Sequence, residues 1–162
     1  MRYVYWVLPG LLAGRPGPDC DPWDLDELWQ AGFRALVTLD RRRVDPEAVR
    51  RVGFAHQYYE RADLPDIVLR TLTAQLGFLE AIEPALTFIR QQVTASRPTL
   101  VHCWAGRDRT GAVLACYLVR YEGLTADEAI ARLRAVRPDT MAAHGYIETV
   151  DVFAWQESRG RA

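Results

Sequence analysis

One stretch constrains this chain more than any other: Thr99-Leu100-Val101-His102-Cys103-Trp104-Ala105-Gly106-Arg107-Asp108-Arg109-Thr110-Gly111. An apolar run ends at His102. A loop then opens with a cysteine and closes with an arginine, and the helix-like run Ala112 to Tyr121 follows. Strand, loop and helix must therefore succeed one another with no room for a longer connection.

The residue types in that loop point to one kind of chemistry. A thiol becomes a good nucleophile when deprotonated, and a helix N-terminus or a nearby cation favours the thiolate. A helix starting near Thr110 aims its free N–H groups back into the loop. Inward-pointing N–H groups of a tight turn make a nest for oxyanions. Gly106 and Gly111 permit backbone conformations or close approaches that a side chain would obstruct. Arg109 can grip two oxygens of a phosphate at once with its planar fork. Thr110 can donate a hydrogen bond to the sulfur. The set suits sulfur attack on a tetrahedral dianion. His102 reads as a scaffold residue that hydrogen-bonds the loop, and Trp104 as a pocket wall or a packing residue.

His102-Cys103, five intervening residues, then Arg109-Thr110-Gly111 resembles the signature of the cysteine-dependent protein tyrosine phosphatase superfamily. Trp6-Val7-Leu8-Pro9-Gly10-Leu11-Leu12-Ala13-Gly14, Cys116-Tyr117-Leu118-Val119 and Arg134-Ala135-Val136-Arg137-Pro138 resemble the small atypical dual-specificity phosphatases over nearly the whole chain. The loop interior, Ala105-Gly106-Arg107-Asp108-Arg109-Thr110-Gly111, is similar to bacterial members with Ala-Gly-Lys-Asp-Arg-Thr-Gly, some of which are similar to phosphoinositide phosphatases. The resemblance implies that Cys103 attacks phosphorus and that Arg109 and the N–H groups from Trp104, Ala105, Gly106, Arg107, Asp108 and Arg109 hold the phosphate. It also implies an acid from the loop after the strand that starts near His56. Asp63 occupies the matching place, Asp66 is its close competitor, and Asp108 a more distant one. A glutamine that can orient the hydrolytic water in that family is replaced here by Tyr146, with His144 nearby; His144 reads as a surface or capping residue.

The totals are those of a single globular domain, 1–162, long enough for a real core. A net charge of -1 gives no global field to attract nucleic acid or an anionic membrane. Every basic residue apart from histidine is arginine, and lysine and asparagine are absent, which fits a GC-rich genome. Cys20, Cys103 and Cys116 have spacings that suit neither a disulfide framework nor a zinc site, so a reduced, cytoplasmic setting is expected. Either Cys20 or Cys116 is a candidate partner for Cys103 under oxidation, and Cys116 also reads as core. The apolar run from Tyr3 is broken by Pro9-Gly10 and reads as a strand, not a leader.

Taken in order, strands are predicted over 3–8, 11–13, 33–39, 54–61 and 99–101. A helix is predicted over 23–31, one from Asp45-Pro46 to Gly53, one over 82–93 with Pro84 in its first turn, and one over 146–155. Thr125 to Glu128 is a capping box that opens a further helix. Asp40-Arg41-Arg42-Arg43 reads as a solvated loop or as a cationic rim beyond a strand's carboxyl end. Residues 67–80 read as an insertion, with Leu69, Leu72, Leu76 and Leu79 at helical spacing, and 157–162 as a polar tail. The helix-linked return to the motif strand suits parallel strands. The predicted fold is α/β, a central, mainly parallel sheet flanked by helices on both faces, of the protein tyrosine phosphatase type.

The expected activity is that of a phosphoric monoester hydrolase acting through a phosphocysteine, without metal or cofactor, as a monomer and without membrane insertion. The substrate is a phosphorylated protein or, by the same mechanism, a phosphoinositide. A rhodanese-type sulfurtransferase and a non-catalytic phosphate-binding module are the alternatives from other classes. Arg109 and Thr110 argue against the first, and the intact loop against the second.

Overall fold

Alternation along the central strands decides the architecture. The computed structural model describes residues 3–40, 42–60, 63–64 and 68–160. In it β1 (Tyr5–Leu8), β2 (Leu12–Arg15), β3 (Ala35–Thr38), β4 (Ala55–Tyr58) and β5 (Thr99–His102) form one sheet in the order β1-β2-β5-β3-β4. The first two strands are an antiparallel hairpin, and all other pairings are parallel. Leu12, Val37 and Val101 belong to one apolar cluster, while their neighbours Ala13, Leu36 and Leu100 belong to another. Successive side chains point to opposite faces, so both faces are apolar and both need cover. The helices α1 (Leu25–Gln30) and α2 (Pro46–Val52) cover one face with Leu28 and Val49. The other face carries α3 (Leu72–Thr94), α4 (Asp108–Glu122), α5 (Ala126–Val136) and α6 (Tyr146–Gly160). This is the α/β arrangement the sequence predicts.

The motif strand β5 lies at the centre of the sheet, and its register sets Arg15 of β2 and Thr38 of β3 on either side of His102. From there the chain enters α4, which is buried from Arg109 to Val119. The loop that begins at Cys103 is thus suspended between the central strand and the central helix. Capping follows the sequence: the Asp24, Asp45 and Thr125 side chains accept from first-turn N–H groups, and Glu128 completes the capping box.

Two helix boundaries differ from expectation. The helix expected from Ile82 begins at Leu72, with Thr71 as N-cap, so Leu72 to Glu80 are its opening turns and Pro84 is interior. An interior proline removes a helical hydrogen bond and crowds the preceding turn. Here the Tyr59 hydroxyl accepts from the Ala85 N–H at 3.2 Å, which satisfies a donor beside the proline. The unbroken buried stripe of Phe78, Leu79, Ile82, Ala85, Leu86 and Ile89 outweighs the local cost. The second difference is α6, which continues through Glu157 to Gly160, where a polar tail was expected. Glu157 is held by Arg120 at 2.7 Å, and the same guanidinium grips Glu83 of α3.

Candidate active site

The loop between β5 and α4 is shaped from outside. The Gly17 N–H donates to the Trp104 carbonyl at 2.9 Å. Arg137 Nη2 donates to the Ala105 carbonyl at 3.2 Å, and the Tyr5 hydroxyl to the Gly106 carbonyl at 2.6 Å. The Arg107 carbonyl accepts from the Thr140 hydroxyl at 3.0 Å and from the Met141 N–H at 3.3 Å. Each of these carbonyls is turned toward a donor from a distant segment, which leaves the loop's own N–H groups to the concave side. Gly106 makes this possible: its φ is +64°, and a Cβ there would run into the Arg15 carbonyl and Pro16.

Cys103 is buried at the floor of this concavity, a cleft of about 210 Å³ whose walls include Trp104, Ala105, Arg107, Arg109, Ala143 and Tyr146. Arg107 stands at the N-cap of α4 and makes no side-chain capping bond, so the first N–H groups of the helix keep their unpaired, positive end toward the cleft. Arg109 is buried; one guanidinium nitrogen, Nη2, lies 3.2 Å from Asp40 Oδ2. Its Nη1 and the Thr110 hydroxyl are buried with no hydrogen-bond partner among the described residues. A buried guanidinium and a helix terminus, both short of acceptors and lining one cleft with a buried thiol, fit a bound oxyanion.

Asp40 is the residue that sequence reasoning missed. Neither a solvated loop nor a cationic rim describes it, since it is 5% exposed, between Arg109 and Arg42. The available signal was a lone acid directly beyond an apolar strand, on the side of the sheet where α/β proteins bind ligands. Arg41 lies outside the described residues, and Arg43 pairs with Asp19 at the surface.

Asp108 lies in the cleft wall, but its carboxylate is engaged elsewhere. One oxygen accepts from the Ala143 N–H at 3.0 Å, and the other from Arg107 Nε and Nη2 at 3.1 and 3.0 Å. It ties the segment before α6 to the mouth of the loop. Asp63 is exposed and is not among the cleft's lining residues; its Oδ2 accepts from the Glu60 N–H at 3.0 Å. Asp66 lies outside the described residues. Tyr146 is buried against the cleft with its ring edge-on to Phe78, while His144 is exposed and contributes its carbonyl to the Leu69 N–H at 2.9 Å.

His102 is wholly buried, and loss of solvent pushes it down to about 3. Burial thus favours the neutral ring, whose Nδ1 lies 3.3 Å from the Cys103 carbonyl oxygen. Cys116 is buried in α4, and burial pushes its thiol well above the usual range, which makes it inert core. Cys20 is exposed. Among the described residues no group of three or more His, Cys, Asp or Glu side chains could hold a metal ion, and no helix is long and apolar enough to cross a membrane.

A buried cysteine, a buried guanidinium and the N-terminus of α4 line one cleft and make it a candidate oxyanion site. Residues 39–156 match the dual specificity phosphatase catalytic domain, and the chain belongs to that family. It is 44% identical over 172 aligned positions to protein tyrosine phosphatase domain-containing protein 1 of Danio rerio, covering 94% of this chain and 22% of that protein. It is 28% identical over 140 residues to dual specificity protein phosphatase 12 of Rattus norvegicus, covering 86% of this chain and 38% of that protein. The chain thus spans well under half the length of these relatives. Among solved structures, PTPMT1 in complex with PI(5)P has the same fold, with a TM-score of 0.76 over 99% of each chain at 15% identity.

Proposed function

We propose that this chain hydrolyses phosphoric monoesters through a phosphocysteine, with a phosphorylated protein as substrate. The Cys103 thiolate attacks phosphorus while the ester oxygen departs with a proton from a carboxylic acid, Asp63 or Asp66. The resulting carboxylate then takes a proton from water as that water attacks phosphorus and returns the electron pair to sulfur. Arg109 and the N–H groups from Trp104 to Arg109 hold the three non-bridging oxygens, whose charge is greatest in the transition state. His102 and Thr110 support the loop and the sulfur. The observation that carries this reading is the buried Arg109 guanidinium, its Nη1 unmatched, lining one cleft with the buried Cys103 thiol.

A phosphoinositide is the second substrate reading. It is favoured by Arg107, half-exposed at the mouth of the cleft, and by the resemblance of the Ala105–Gly111 loop to phosphoinositide-directed members. An exposed guanidinium at that place can meet a second phosphate on a polyanionic headgroup.

The test is hydrolysis of an aryl phosphate in excess chelator by wild type and Cys103→Ser. Wild type is expected to turn over without metal, and the serine variant to lose about 10⁴-fold or more. Inactivity of wild type on aryl, peptide and lipid phosphates, with retained phosphate binding, would identify a binding module instead. Relative kcat/KM on phosphotyrosine peptides and on phosphoinositide vesicles then separates the two substrate readings.

A further inference from the structure

Behind the nucleophile loop, away from the cleft, three polar side chains form a line through the sheet. His102 Nδ1 lies 3.3 Å from the Cys103 carbonyl oxygen, and His102 Nε2 lies 2.8 Å from the Thr38 hydroxyl. The same hydroxyl lies 2.8 Å from His56 Nε2, on the edge strand β4. The sheet itself creates this line, since Thr38 pairs with His102 across β3–β5 while His56 sits in the neighbouring β4.

The protons in this line can be placed by elimination. A carbonyl oxygen only accepts, so His102 Nδ1 must carry the hydrogen. His102 is neutral, so its Nε2 is bare and accepts from the one O–H of Thr38. The Thr38 oxygen is then left to accept, and His56 Nε2–H donates to it. That leaves His56 Nδ1 bare, and this atom is indeed buried with no partner among the described residues. The reverse order would aim the His102 Nδ1 lone pair at the Cys103 carbonyl. The arrangement therefore has one polarity, running from His56 to Cys103. The charges facing it are Arg50 near His56, and Arg15 and Arg109 near His102. All are cations, and with burial they keep both rings neutral.

We infer that Thr38 and His56 are positioning residues for the nucleophile: they fix the tautomer of His102, and through it the orientation of the Cys103 carbonyl. The inference rests on the phosphatase reading above. The Cys103 carbonyl is held on the side of the loop where Gly17 packs so closely that a Cβ would collide with it. Pinned there, its negative end stays clear of the sulfur and the phosphate, and the N–H groups that follow stay turned into the cleft. If the line loses its donor, His102 is free to take the other tautomer, and its lone pair then pushes on the same carbonyl. The thiolate and the transition state lose part of their preorganised surroundings, while the outer walls of the cleft are untouched.

The experiment is the pH dependence of Cys103 alkylation by iodoacetamide, read by peptide mass spectrometry so that Cys20 and Cys116 are scored separately. It is run on wild type, Thr38→Val, Thr38→Ser, His56→Leu and His56→Gln, with kcat and KM on an aryl phosphate and thermal midpoints in parallel. Valine keeps the shape of threonine and loses the hydroxyl; glutamine keeps an N–H donor in the place of Nε2. Thr38→Val and His56→Leu are expected to raise the titration midpoint of Cys103 by about one pH unit and to lower kcat about tenfold with little change in KM. Thr38→Ser and His56→Gln are expected to stay near wild type. His56 lies on an edge strand and is partly exposed, so its pair reports even if Thr38→Val does not fold. A wild-type midpoint below the ordinary thiol value, left unmoved by His56→Leu, overturns the inference and leaves the phosphatase reading standing. A wild-type Cys103 that titrates near the ordinary value of about 8.5 overturns both.

Discussion

The loop from Cys103 to Arg107 and the segment that carries Asp63, the proposed nucleophile loop and acid segment, are held in opposite ways. Every carbonyl from Cys103 to Arg107 meets a donor, and these come from the hairpin β1–β2, the loop after it, His102 of the motif strand and the segment after α5. By contrast the segment between β4 and α3 is anchored, among its described residues, by apolar side chains, with Leu64 and Leu69 fully buried. Leu69 is fastened on both sides, its N–H to the His144 carbonyl and its carbonyl to Gln75 Nε2 at 3.0 Å. Its carbonyl also packs on Gly145, whose φ of +93° and missing Cβ make room. Just before the first of these anchors Asp63 is exposed, and its carboxylate accepts from the Glu60 N–H of its own turn. A bond-forming sulfur tolerates little displacement, whereas a proton donor needs reach and a final alignment that substrate can complete. The protein over-determines the first and tethers the second.

The largest expected effect tests the tethered side. Asp63→Asn and Asp66→Asn are compared on an aryl phosphate and on an alkyl phosphate with a poor leaving group. The variant lacking the acid is expected to lose about 10²–10⁴-fold on the alkyl ester and far less on the aryl ester. Asp63→Asn keeps an oxygen for the Glu60 N–H and should leave stability within about 0.5 kcal/mol. If both variants lose the two substrates equally, the proton comes from outside this segment and the contrast is wrong.

Asp40→Ala strikes the over-determined side. It leaves the Arg109 guanidinium buried beside no carboxylate, which is expected to cost about 3–5 kcal/mol of stability in denaturant titrations without anion. Saturating phosphate should restore part of that loss, because an oxyanion in the cleft supplies the missing counter-charge. An Asp40→Ala protein as stable as wild type without phosphate would mean that Arg109 is oriented by something else.

The two sides also differed in how legible they were. Cys103, Gly106, Arg109 and Thr110 could be read because their chemistry lies within one short stretch, and the sheet could be read because its central strands are continuous apolar runs. Asp40 is far from Arg109 in sequence, so no local pattern marks their pairing, which arises from β3 lying beside β5. The start of α3 was misplaced because a proline usually ends or opens a helix, while the hydroxyl that accommodates Pro84 comes from Tyr59, in the chain after β4. The relay through Thr38 was equally hidden, since threonine in a strand is ordinary until register sets it between two histidines.

Those histidines make acid a further probe. Burial, with Arg50 adding to it for His56, holds His56 down to about 4 and His102 down to about 3, both below the ordinary value of 6.5. Below pH 6.5 the unfolded chain takes up protons that the folded chain refuses. Stability is therefore complete above that pH and falls as pH drops toward 4, by about 1.4 kcal/mol per pH unit for each histidine. Urea midpoints at pH 7.5, 6 and 5 should show this, and His56→Gln should remove about half of the histidine share of the slope. An unchanged slope in His56→Gln would mean that His56 protonates freely in the folded state.

The smallest expected effect is the most direct measure of over-determination. The Tyr5 hydroxyl is the donor found for the Gly106 carbonyl, and burial pushes its pKa well above the usual range, so it stays a neutral donor throughout the working pH range. Its ring lies where a Cβ on Gly14 would sit, so phenylalanine can keep the packing and lose only the hydroxyl. Tyr5→Phe removes one of the outward bonds and leaves the others, at a cost of about 1 kcal/mol in stability. If the loop is braced redundantly, KM for an aryl phosphate and the inhibition constant for inorganic phosphate should move less than about threefold, since neighbouring carbonyls still set the turn. A loss near the 10²-fold that follows from misplacing reacting groups by about an ångström would show instead that Gly106 hangs on a single strut. The nucleophile loop would then be as delicately held as the acid segment.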